Sequence, residues 1–242
     1  MKKLLIFSFI LLLFAFHTPY STNSSISILV VTGGQEFEKE PFFAMFDGFQ
    51  SIKYETVVQP KANSLWGSKK IKDYDAIVFY DLSPKIENQY KKDFIKMLKK
   101  GKGVVFLHQS LQSYQNWGDY KFLIGGKYHK EPFFQFGKEV KSITKPNMKY
   151  KVQIVNPSHP ITSGMEAFEM EGEMYGGCEI LPNVTPLLLT MHPESMHYLG
   201  WTHEFGKSKI VYLQPGKDTS VFNNPNYKKI LEQAIEWTAS GN

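Results

Sequence analysis

Residues 101–110 read GKGVVFLHQS, and the architecture follows from that short run. After a Gly-Lys-Gly break come four apolar residues, Val104 to Leu107, too few for a helix and unbroken rather than alternating. That pattern belongs to a strand buried on both faces, as in parallel sheets covered by helices on each side. Such a strand has no structural use for an ending in histidine, glutamine and serine. In open α/β sheets, ligands lie outside the carboxyl ends of the strands, so His108 and Gln109 are expected at a crevice. Working outward, residues 26–32 (ISILVVT) form a first buried strand ending in Gly33 and Gly34. Residues 54–59 form a second, and 75–80 (DAIVFY) a third, followed by Asp81.

Between these strands the period changes. Residues 41–49 carry a helix-like aromatic pattern. Ser83 and Pro84 offer a helix start. Ile86, Tyr90, Phe94, Met97 and Leu98 then recur at helical spacing up to Lys99, Lys100 and the stop at Gly101. Residues 109–123 read as the next helix. Strands alternating with helices predict an α/β, doubly wound, mostly parallel sheet with helices on both faces and right-handed crossovers. The second half adds strands. Residues 125–151 read as an insertion or strand pair, 185–191 and 196–202 as two strands, and 209–214 as another, ending in Pro215-Gly216-Lys217-Asp218. A last helix from Asn224 and Pro225 places Tyr227, Ile230, Leu231, Ala234, Ile235 and Thr238 on one face.

The 242 residues suit one domain, residues 26–240, with enough apolar side chains, 42%, to fill its core. Lys2 and Lys3 followed by the apolar run 4–16 read as a secretory signal over residues 1–22. The expectation is an exported protein, periplasmic or extracellular, with no stable membrane span once the signal is removed. Cys178 is the only cysteine, so no intrachain disulfide forms. Setting aside Lys2 and Lys3 leaves 26 lysines against 23 acids and no arginine. The charge is too weak and too scattered for nucleic acid, and bidentate arginine clamps on anions are absent.

Six pieces in order, VVTGGQEF, DYDAIVFYD, GKGVVFLHQS, LIGGKY, HPITSGMEAFEMEGEMY and LGWTHEFGKSKIVYLQPGKD, resemble the ThuA-like (trehalose-utilisation) family. The resemblance runs from about Ser27 to Trp237. It implies a flavodoxin-like fold of the class I glutamine amidotransferase-like superfamily and a role in bacterial breakdown of disaccharides through keto-sugars. It further implies a pocket formed by the strand-one loop, His108 and an acidic turn. The sequence departs from the family pattern where Gln35 and Lys217 stand in place of two histidines.

His108 is the leading candidate for acid/base catalysis. Glu173, matched to the family's acidic turn, is its expected partner, with Glu171 an alternative. Gly33 and Gly34 offer backbone N–H groups for a sugar hydroxyl or an oxyanion. Gln35, Asp81, Gln109 and Lys217 are expected to position substrate, with His129 and Tyr175 beside them. Trp117 and Trp201 are expected to stack on sugar rings. Ser110 has no nucleophile-elbow glycines around it, and Cys178 lies far from the elbow, so the chain does not read as a glutamine amidotransferase. Three functions follow: a sugar-processing hydrolase, lyase or isomerase without a cofactor; a non-catalytic carbohydrate-binding protein; and a hydrolase holding a divalent metal through His108, His129 and Glu173.

Overall fold

The computed structural model describes residues 25–135 and 137–241; the expected signal segment lies outside them. The amino-terminal half alternates as expected: β1 (Ile26–Gly33), α1 (Lys39–Asp47), β2 (Ile52–Val58), β3 (Ala76–Asp81), α2 (Asn88–Lys99) and β4 (Gly103–Leu107). Two single-turn 3-10 helices, Lys61–Leu65 and Lys70–Asp73, bridge β2 to β3. Beyond β4 come α3 (Tyr120–Ile124), β5 (Gly126–Lys127), the hairpin strands β6 (Phe133–Gln135) and β7 (Lys138–Val140), and the long β8 (Ile143–Ile154). Then follow β9 (Phe168–Gly176), β10 (Glu179–Ile180), β11 (Thr185–Leu189), β12 (Tyr198–Phe205) and β13 (Ser208–Leu213). The chain closes with α4 (Thr219–Asn223) and α5 (Pro225–Ala239).

Nine strands make one sheet in the order β2-β1-β3-β4-β13-β12-β11-β8-β9. The first five are parallel and the rest pair antiparallel. The parallel part is the doubly wound half anticipated from residues 26–107. Every residue of β3 and β4 is buried, because alternate side chains enter opposite layers. Val78, Val105 and Leu107 join α1, α4 and α5 in one cluster, while Phe79, Val104 and Phe106 join α2, α3 and the 3-10 turns in the other. Each fully buried Val, Leu or Phe contributes about 1.5–3 kcal/mol, so these strands anchor the molecule.

The last helix follows its sequence signals. Pro225 opens it, Asn224 caps it by accepting from the N–H groups of Asn226 and Tyr227, and its six expected apolar positions are buried. Two expectations fail nearer the site. The helix expected from Ser83 begins at Asn88 without a side-chain cap; instead the Ser83 N–H donates to the Ser113 hydroxyl. The helix expected over residues 109–123 is one 3-10 turn, His108–Gln112, then irregular chain, then α3. The Ser110 and Ser113 hydroxyls bond the end of β3 rather than facing solvent, and Tyr114 takes a left-handed backbone (φ 50°). Serines bound to a neighbouring strand's carbonyls compete with helix formation.

Candidate functional site

His108 is the first residue beyond β4, and its backbone is left-handed, with φ 40°. For a residue with a Cβ this costs about 1–2 kcal/mol, and it persists because the surroundings fix it at several atoms. The His108 carbonyl accepts from the Tyr212 hydroxyl at 3.0 Å. The ring stacks on Tyr175, centroids 4.5 Å apart. Nδ1 lies 2.7 Å from the Gln214 carbonyl and Nε2 3.0 Å from Glu173 Oε1. A carbonyl oxygen only accepts, so Nδ1 carries a hydrogen. The contact between Nε2 and Oε1 is then a hydrogen bond through one proton held between the two groups. Gly216 lies against the base of the His108 side chain. A Cβ there would sit 2.4 Å from His108 Cβ, so the approach requires glycine.

Glu173 comes from β9, not from a turn as expected. It forms an isolated antiparallel bridge with Gly216, so the antiparallel half of the sheet curls until its last strand meets the end of β13. Its backbone is tied on both sides: the N–H donates to Asp218 Oδ2 at 3.0 Å and the carbonyl accepts from Gln214 Nε2 at 3.0 Å. Lys217, itself at φ 81°, donates Nζ to Glu173 Oε2 at 3.0 Å. The side chains run outward in order: His108 is 1% exposed, Glu173 8% and Lys217 34%. Burial pushes the Glu173 carboxyl up, but hydrogen bonds and charge from His108 and then Lys217 outweigh it and hold the group below the usual glutamate range. Asp218 is raised, mainly by burial and further by the Glu173 charge. A carboxylate that is salt-bridged on one oxygen and shares a proton on the other is equipped to give or take a proton at its outer end.

The other sequence-chosen residues distribute unevenly. Gly33, Gly34 and Gln35 line a shallow cleft of about 320 Å³ with Phe37 and Lys39. Gly34 has φ 85°, and a Cβ would meet the Leu82 carbonyl oxygen at 2.0 Å, so this glycine serves the turn. Tyr175 forms the floor under His108. His108, Asp81 and Gln109 do not face a crevice as expected: all three are buried, His108 behind Glu173, Asp81 among Gln59 and Ser110, and Gln109 donating to the Tyr80 carbonyl. Trp117 and Trp201 do not offer a sugar platform. Both are in the core, and the Trp201 indole N–H is spent on the Ile124 carbonyl. Large aromatic rings fill gaps between layers before they serve ligands. His129 bonds Glu179 at 2.7 Å and stacks on Phe133, so the trio His108, His129 and Glu173 is not assembled. Among the described residues no three His, Cys, Asp or Glu side chains gather as a metal-ligand set. Glu171 pairs with Lys149 at the surface. Cys178 is buried and its thiol is pushed up to about 12 by burial, unsuited to nucleophilic attack.

Sequence reasoning missed Gln214, Gly216 and Asp218 as parts of the site. All three lie in the QPGKD run after β13, where a Pro-Gly step beyond a buried parallel strand is itself a strand-end signal.

A family model described as ThuA, trehalose utilisation, matches residues 27–238. No curated protein matches the chain at a significant level. Among solved structures, a ThuA-like protein from Parabacteroides merdae has 16% sequence identity and TM-score 0.74, covering 90% of this chain and 91% of that one. A ThuA-like protein from Bacteroides uniformis has 18% identity and TM-score 0.68, covering 93% and 95%. A β-galactosidase from Bacillus circulans sp. alkalophilus matches at 9% identity and TM-score 0.55, over 88% of this chain and 31% of that one. These structural likenesses show the fold.

Proposed function

The chain belongs to the ThuA family, trehalose utilisation, and on that premise we propose that it processes a disaccharide or keto-sugar by acid/base chemistry at the Glu173–His108 pair. The family places it in carbohydrate metabolism. The observation that carries the finer reading is the contact between His108 Nε2 and Glu173 Oε1 at 3.0 Å, with Lys217 on the outer oxygen. Because His108 is sealed behind Glu173, the carboxyl is the end that meets substrate, and the imidazole orients it and exchanges its proton. The carboxylate removes a proton from the carbon beside a sugar carbonyl, leaving an enolate; in the alternative, the proton shared with His108 passes through Glu173 to a glycosidic oxygen as its bond to the anomeric carbon breaks and water adds there. The Lys217 ammonium, released from Oε2, takes the developing negative charge on the sugar oxygen. The apolar run at residues 4–16 supports an exported setting, where soluble oligosaccharides would be the substrates.

The test is a screen of disaccharides and their keto forms with the full chain and two variants. Glu173→Gln and His108→Gln are expected to lower turnover about 10²–10⁴-fold with the fold intact by circular dichroism. Turnover equal to the parent in both variants contradicts the assignment.

One observation favours a second reading. Both ring nitrogens of His108 and both oxygens of Glu173 are occupied, so the resting site is closed, as suits a protein that binds sugar without converting it. Calorimetric binding of a sugar with no product over long incubation supports that reading, and product formation removes it.

A further inference from the structure

A second cleft lies at the opposite edge of the sheet. The carboxyl-terminal end of α2 and the chain leading into β3 and β4 enclose about 460 Å³. Five lysines, Lys69, Lys72, Lys96, Lys100 and Lys102, and one acid, Asp93, line it, and Asp73 and Asp75 lie near enough to Lys102 to act on its charge. Its floor is apolar, formed by Trp66, Ile71 and Met97. We propose that this cleft binds a small phosphate ester, with the phosphate among the lysine ammonium groups and the organic body on the apolar floor.

Three features carry the assignment. First, the charges are unspent. Among the described residues, Lys69, Lys72, Lys96 and Lys100 are exposed and make no ion pair, whereas the adjacent Lys70 is paired with Glu55 at 2.9 Å. Second, the lysines come from separate elements. The negative end of the α2 dipole accounts for Lys96 and Lys100, but not for Lys69 and Lys72 beside the 3-10 turn at Lys70–Asp73. Nor does it account for Lys102 at the entry to β4. Lys102 is anchored by donating to the Tyr74 carbonyl, which holds its stem at the cleft wall. Third, the shape is a cleft rather than a flat patch, of the size that holds small ligands. In a chain without arginine, phosphate is recognised by ammonium point charges, and several lysines lining one cleft suit a dianion better than a single carboxylate. β4 separates this cleft from His108 by its own length, about 16 Å, so a ligand here is distinct from one at Glu173.

Titration calorimetry of the full chain with glucose 6-phosphate, inorganic phosphate and glucose tests the proposal. Both phosphates are expected to bind and glucose to give no comparable signal. The double variant Lys96→Gln/Lys100→Gln is expected to bind about tenfold more weakly or worse, while Lys138→Gln, a lysine removed from the β6–β7 hairpin, binds as the parent does. Affinity should fall as salt is raised. Binding of glucose as strong as that of its phosphate, no binding of either phosphate, or undiminished binding by the double variant overturns the proposal. Binding confined to phosphatidylglycerol vesicles, with neither soluble phosphate bound, overturns it in favour of a membrane surface.

Discussion

Glu173 and Asp81 are both carboxyl groups buried near the carboxyl edge of the sheet, yet their surroundings differ in kind. Glu173 faces an imidazole, His108, on one oxygen and an ammonium, Lys217, on the other, and the lysine is the more exposed of the two. Asp81 is fully buried. It accepts from neutral groups, among them Gln59 Nε2 at 3.0 Å and the Ser110 hydroxyl at 3.1 Å. Burial pushes Asp81 up to about 7, with the Gln59 and Ser110 hydrogen bonds opposing it, while Glu173 is held low. A carboxylate with charged partners and an outer face can do chemistry on a substrate. One locked among serines and glutamine ties β3 to the turn after β4 and sets how stability responds to pH.

Four comparisons between variants break or sharpen this contrast. The largest effect is expected for Glu173→Gln, which replaces the ionisable carboxyl by an amide that accepts a hydrogen bond but cannot take up or give the shared proton, and should lower turnover about 10²–10⁴-fold; Asp81→Asn should leave far more activity, and the reverse ranking would exchange the two roles. The second effect is on stability. Because the folded value of Asp81 lies above its ordinary 3.8, the folded state holds the proton more tightly. The stabilisation is complete below about 4 and is lost as pH rises through about 7, a change of a few kcal/mol. Glu173 has the opposite sign, contributing above its ordinary range and losing that contribution as pH falls through its lowered value. Urea denaturation at pH 5 and pH 8 should show Asp81→Asn gaining stability relative to the parent at the higher pH, and an unchanged difference contradicts the burial argument. Third, Gly216→Ala should cost about 1–3 kcal/mol by overpacking against His108, whereas Gly118→Ala, with nothing within 4 Å of its added methyl, should cost less than about 0.5 kcal/mol. Smallest, Lys217→Gly should be about 1 kcal/mol more stable than Lys217→Ala, because φ 81° suits glycine; equal melting temperatures would show that the backbone there is unstrained.

The same contrast explains what the sequence discloses. Unbroken apolar strands and the α5 stripe are visible because burial on both faces, or along one face, leaves a period in the residue order. His108 stands out as a polar residue at the end of such a strand, and Glu173 through family resemblance. Asp81 and Gln109 sit at strand ends as well, but whether such a side chain turns to solvent or into a network depends on Ser110, Ser113 and Gln59, partners with no fixed spacing. Trp117 and Trp201 carry no sign of whether they meet a sugar or a neighbouring layer. The β9–Gly216 bridge depends on how far a nine-stranded sheet curls, a property of the whole sheet that no short segment encodes.

The most direct test is nitrogen-15 NMR of the His108 ring in the parent and in Glu173→Gln. The structure requires Nδ1 to be protonated, donating to the Gln214 carbonyl, and Nε2 to be the nitrogen whose signal moves when Glu173 is replaced. An Nε2 signal indifferent to Glu173→Gln would show that the two groups share no proton and would contradict the acid/base pair on which the functional reading stands.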